Sequence, residues 1–136
     1  MANPKQRKRN TISITIESEI AGKPKLRHQI KGIPWYAGMT VLHAMVLAQA
    51  MHTKEFSFRV VYDSMYGAFV DRIDTIEDEA GYYWLLYVDG TESPVGASEA
   101  LINEAGPGMN IDIAWRYVRP GAKSSQGRLK AKRRGS

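Results

Sequence analysis

The chain has 136 residues, no cysteine and a formal net charge of +5. That length suffices for one domain with its own hydrophobic core, and 43% apolar against 24% charged residues is an ordinary globular balance. The absence of cysteine excludes disulfides, thiolate metal sites and cysteine nucleophiles.

The opening MANPKQRKRN lacks the apolar run of a signal peptide, and no segment approaches membrane-spanning length. The expected location is therefore cytoplasmic, with no membrane partner. The first ten residues carry four cations, Lys5, Arg7, Lys8 and Arg9, and no acid. The segment after Val118 carries seven, Arg119, Lys123, Arg128, Lys130, Lys132, Arg133 and Arg134. With these eleven cations set against a total of +5, residues 11–118 are left at −6. An acidic body between two basic arms is the charge plan.

TISITI (11–16) alternates, with Ile12, Ile14 and Ile16 on one face, and predicts a first strand. AGKPK (21–25) is a turn, and LRHQIKGI after it alternates again, so the two segments form an antiparallel hairpin. The period then changes. Thr40 precedes VLHAMVLAQAM, which predicts a helix from about Val41 to Met51 with Leu42 and Met45 in the core. FSFRVVY (56–62) is a third strand with Phe56, Phe58, Val60 and Tyr62 on one face, and 67–76 supplies a short strand or ordered loop. EDEAG is a turn, YYWLLYV is the next strand, and Asp89-Gly90 signals a hairpin. MNIDIAWRYV (109–118) closes the body with Ile111, Ile113, Trp115 and Tyr117 inward. Beyond it, the Gly, Ser, Lys and Arg mixture reads as a disordered tail. Two strands, one helix, then mostly strands imply an α+β domain, a mixed sheet of four or five strands packed on one helix, with basic flexible termini. The divisions are a basic arm 1–10, the domain 11–118 and a basic tail 119–136.

YYWLLYV is apolar on both faces. Trp84, with Tyr82, Leu86 and Val88, is expected in the core against the helix, while Tyr83, Leu85 and Tyr87 lie on the opposite face. One helix cannot cover both sides of a sheet. The second face is therefore either open to a partner or buried under the 91–108 connection.

The order of hairpin, GMTVLHAM helix, Gly67 strand, YYWLLYVDG, PVG and a final IDIAWRY resembles the transcobalamin-like C-terminal domain family, over roughly Thr11 to Val118. Its most specific parts are Tyr83-Trp84, Pro94-Val95-Gly96 and the Trp-Arg-Tyr ending. Family members usually carry an acidic Gly-Asp turn before the last strand, where this chain has Gly106-Pro107-Gly108-Met109-Asn110. The resemblance implies a β-grasp module that closes over cobalamin in transcobalamin and intrinsic factor, with the SPVGAS loop where those proteins touch the corrin ring. No cofactor follows from the residues themselves; cobalamin is implied only by this likeness, which speaks more directly to fold than to ligand.

No catalytic constellation is present: there is no G-x-S-x-G, no phosphate-binding glycine loop and no H-E-x-x-H, so a non-catalytic role is expected. His28, His43 and His52 do not have metal-ligand spacing, and Asp71, Asp74, Glu77, Asp78 and Glu79 read as a solvated acidic turn rather than a cation loop. Two readings of function stand. In the first, a binding module contacts a partner or small ligand through Tyr83, Leu85, Tyr87, Pro94, Val95 and Gly96. In the second, the domain is a brick in a ribonucleoprotein or virus particle. Its arms (Lys5, Arg7, Lys8, Arg9, Lys130, Lys132, Arg133, Arg134) then bind nucleic acid, an acidic protein or neighbouring copies.

Overall fold

The computed structural model describes residues 9–51, 56–121 and 123–133. β1 (Thr11–Ser18) and β2 (Leu26–Pro34) form the expected antiparallel hairpin. β1 also pairs, in parallel, with β8 (Asn110–Val118), the last strand in the chain, from Thr11 opposite Asn110 to Ser18 opposite Tyr117. β8 is antiparallel to β6 (Tyr83–Val88), and β7 (Thr91–Glu92) extends β6. The order is β2-β1-β8-β6-β7. The first and last strands therefore lie parallel at the centre, which makes this a β-grasp-like α+β fold.

A second sheet, β3 (Phe58–Asp63), β4 (Gly67–Ile73) and β5 (Ile76–Glu77), holds the remaining strands. The separation into two sheets explains a misplaced face. Phe56 is buried and Phe58 packs on the core, but Val60 and Tyr62, grouped with them by alternation, are exposed, Tyr62 at 74%. A register shift between Arg59 and Val60 rotates the end of this edge strand away from the core.

α1 (Val41–Met51) has the predicted limits. Thr40 Oγ1 accepts the His43 N–H at 3.3 Å while His43 Nδ1 accepts the Thr40 N–H at 3.1 Å, a reciprocal N-terminal cap. Val41, Ala44, Met45 and Ala48 are buried, and Leu42 is half-buried against the same core. Facing them are Ile12, Ile14 and Ile16 of β1, Trp84 and Leu86 of β6, and Ile111, Ile113, Trp115 and Tyr117 of β8, all buried as the alternation required. The Trp115 indole N–H donates to Met45 Sδ at 3.2 Å and ties the sheet to the helix. Gly106 to Met109 is the expected turn, closed by Met109 N–H to Gly106 O at 3.0 Å.

The C-terminal segment differs from expectation. Residues Ser125–Arg133 form a second helix, α2, packed on β6. Apart from Leu129 and Ala131 it has no apolar side chain, so composition alone reads it as disordered. Its docking is polar. Ser124 Oγ donates to Glu92 at 2.8 Å, Gln126 Nε2 donates to the Ser93 and Val95 carbonyls at 2.9 and 2.6 Å, and Lys130 Nζ donates to the carbonyls of Val70 and Trp84. The domain thus continues beyond Val118.

Candidate binding site

β6 runs near one edge of the large sheet, and β7 pairs only with Tyr87 and Val88. The rest of that edge is where α2 sits. Tyr83 and Leu85 are only 3% and 2% exposed; Tyr83 shares a hollow with Gly127, Arg128 and Ala131 of α2, and β4 also contacts β6. Neither belongs to an open aromatic surface. The 91–108 connection is not what lies over Tyr83; the helix beyond β8 is. Sequence reading missed this cover because it depends on hydrogen bonds from Ser, Gln and Lys, which carry no periodic signal.

Tyr87 is the member of the trio that remains half-exposed. Its ring lies 5.0 Å from the Arg116 guanidinium and helps line a polar cleft of about 410 Å³ with Thr15, Gln29, Asp112 and Arg116. Burial, then nearby Glu92, pushes its phenol above the ordinary value, with Arg116 opposing.

The SPVGAS loop divides into a buried frame and an outward rim. Ser93 donates its hydroxyl to the Val95 carbonyl at 2.8 Å and accepts the Val95 N–H at 3.2 Å. Gly96 donates its N–H to Tyr66 O at 2.9 Å, and a Cβ there would lie 2.5 Å from the Ala68 carbonyl oxygen. Gly96 is buried against β4 and is a packing position rather than a contact for a ligand. Pro94 is exposed and Val95 half-buried. Together with Val88, Leu101 and Asn103 they line a depression of about 270 Å³. Of the six predicted contact residues, Pro94 and Val95 are brought together, Tyr87 opens onto the separate polar cleft, and Tyr83, Leu85 and Gly96 are covered.

The predicted polyanion set is likewise divided. Arg9 and Lys132 are exposed. Lys130 is 3% exposed and its ammonium forms an ion pair with Asp78 at 2.8 Å, so it is unavailable to a phosphate. Arg133 ends α2, and Lys5, Arg7, Lys8 and Arg134 lie outside the described residues.

The acidic segment is solvated only in part: Glu77 and Glu79 are exposed, whereas Asp71 and Asp78 are buried and Asp74 half-buried. Asp71 accepts both arms of Arg59 at 3.0 and 2.8 Å, and this, with Glu77, holds the guanidinium firmly protonated. Asp74 accepts the Ser57 N–H and meets His28 Nε2 at 2.8 Å, and Glu79 pairs with Lys23. Asp78, 6% exposed, accepts the Trp84 N–H at 2.7 Å. Burial pushes its carboxyl above the ordinary value against the pull of Lys130. Among the described residues no group of His, Asp and Glu is arranged to hold a metal ion.

These features define a β-grasp-like domain with a rigid loop beside the edge of its main sheet. Over residues 38–117 the sequence matches the family described as a domain of unknown function, DUF4430, and the chain belongs to that family. No curated protein matches it. Among solved structures, it is similar to haptocorrin, determined in complex with Cbi, with a TM-score of 0.57 and 19% identity. That match covers 80% of this chain and 25% of the haptocorrin chain, so the domain spans about a quarter of that protein. The relationship to the transcobalamin-like fold holds at the level of the backbone. A Ruminococcus gnavus protein matches with a TM-score of 0.46 and 9% identity, over 80% of this chain and 98% of that one.

Proposed function

We propose that this domain is a non-catalytic binding module whose contact surface is the outward rim of the 93–98 loop. The observation that carries the reading is the construction of that loop. Its backbone is fixed from within by Ser93, from below by Tyr66 and from the side by Gln126, while Pro94 and Val95 are left facing outward beside Leu101. A preorganised apolar rim loses little entropy on contact. The backbone likeness to haptocorrin supports a corrinoid such as cobalamin as the small-molecule candidate.

The depression of about 270 Å³ is below the usual range of small-molecule pockets, roughly 300–1,000 Å³. This chain by itself should therefore bind cobalamin weakly, and strong binding would need a second surface closing over the ligand. Titration of isotope-labelled protein with cobalamin, followed by amide chemical shifts, tests the reading. Shifts confined to Ser93, Val95, Leu101 and Asn103, and absent in Val95→Asp, are expected. No shift at any amide, or shifts mapping elsewhere, would refute the assignment of the ligand to this rim. Submicromolar affinity would overturn the need for a second surface.

A further inference from the structure

Lys130 and Asp78 lie outside the proposed binding rim, and their geometry supports more than an ion pair. Both side chains are almost fully enclosed, at 3% and 4% exposure, with Nζ 2.8 Å from Asp78 Oδ2. Nζ also lies 2.7 Å from the Val70 carbonyl oxygen and 2.6 Å from that of Trp84. A neutral amine has two N–H bonds and one lone pair. Each carbonyl can take one of those hydrogens, and the Asp78 carboxyl is a third group within hydrogen-bond distance of the nitrogen. The other carboxyl oxygen, Oδ1, accepts the Trp84 N–H at 2.7 Å, which places a backbone donor where negative charge would develop on attack at Cγ. Movement of one proton along the Nζ–Oδ2 contact converts the ion pair to amine and carboxylic acid, the form that enclosure away from water favours.

We infer that Lys130 and Asp78 condense in the folded protein to an intramolecular isopeptide bond that fastens α2 across β4 and β6. Nζ attacks Cγ, and Oδ1 takes up the electron pair under the Trp84 N–H. The Cγ–Oδ2 bond then breaks, and a proton from nitrogen leaves with the hydroxyl as water. The Nζ–Cγ amide that forms keeps one N–H, and no oxidant, reductant or cofactor is consumed. Proximity in a rigid enclosure supplies what the uncatalysed reaction between free side chains lacks, with effective molarities on the order of 10⁵ M or more in well-oriented pairs.

The test is the intact mass of the full 136-residue chain, denatured after folding and incubation near neutral pH. The expected mass is lower by one water, about 18 Da, than the sequence requires. Proteolysis should then yield a branched peptide joining the Asp78 and Lys130 segments, located by fragmentation. Lys130→Arg, whose guanidinium keeps the charge but does not condense, should have its full calculated mass. A wild-type chain with the unaltered sequence mass would refute the bond. So would loss of water that fragmentation places at another residue, or the same loss in Lys130→Arg.

Discussion

At Gly96 the backbone of the loop touches the backbone of β4 with no room between. A Cβ would sit 2.5 Å from the Ala68 oxygen and 3.0 Å from that of Tyr66, both main-chain atoms that cannot step aside. Gly96→Ala should therefore cost about 1–3 kcal/mol, the usual range for overpacking, read as a lower urea midpoint with unchanged slope. An unchanged midpoint would mean that the loop is not seated on β4. Tyr87 gives a residue-scale prediction of a different kind. Its folded phenol ionises above the ordinary 10.0 because burial, and then Glu92, disfavour the phenolate. The folded state holds this proton where the unfolded chain has released it. The associated stability is therefore complete below 10.0 and is lost as pH rises through the higher folded value. Tyr87→Phe removes that loss, so the melting temperature of the variant should fall less steeply with alkaline pH than that of wild type. Parallel curves would contradict the assignment.

At the scale of elements, α1 and four strands of the central sheet, β1, β2, β6 and β8, were legible from the spacing of their apolar residues, whereas β7 lies in what reads as a connection. Period-2 alternation in β1 and β8 and the change of period after Thr40 state which side chains point inward, and Ile12, Met45 and Trp115 are buried accordingly; β6, apolar on both faces, is buried on both from Tyr83 to Leu86. What was not legible lacks such a period. The second sheet departs from alternation at its register shift, and α2 is fastened by Gln126, Ser124 and Lys130 rather than by an apolar stripe. The candidate site suffered from the same blindness. Pro94 and Val95 were recognisable as an outward turn, but the cover over Tyr83 comes from a segment that looks unstructured by composition. Deletion of residues 119–136 therefore has a sharp consequence. It would uncover Tyr83 and leave Asp78 without Lys130. Removal of one partner from a buried pair typically costs about 3–5 kcal/mol. The truncated domain should lose at least that much, measured by urea unfolding, and Lys130→Met in the full chain should lose a comparable part. A truncated protein as stable as the intact one would show that α2 contributes nothing to the fold.

For the whole molecule, the charge plan is altered by where one cation goes. The two arms together carry eleven cations, but Lys130 is engaged inside the domain by Asp78 and two carbonyls. Any attraction to nucleic acid, the role proposed for the arms in an assembly protein, must come from the other cations; of the described ones, Arg9, Arg128 and Lys132 are among those exposed. Such binding is driven by release of condensed counterions, so six phosphate contacts would make affinity to duplex DNA fall about a thousandfold between ~50 and ~200 mM salt. The position of Lys130 then separates charge from structure. Lys130→Met should weaken the fold yet leave DNA affinity and its salt dependence unchanged at temperatures where the variant remains folded. Lys132→Gln should do the reverse. It should leave stability within about 0.5 kcal/mol, as exposed substitutions do, and reduce the salt slope by about 0.9, the share of a single neutralised phosphate. Fluorescence anisotropy of a labelled duplex across a salt series measures both. A salt slope reduced in Lys130→Met, with the fold intact by circular dichroism, would mean that this lysine reaches phosphate and that α2 leaves the sheet when nucleic acid binds.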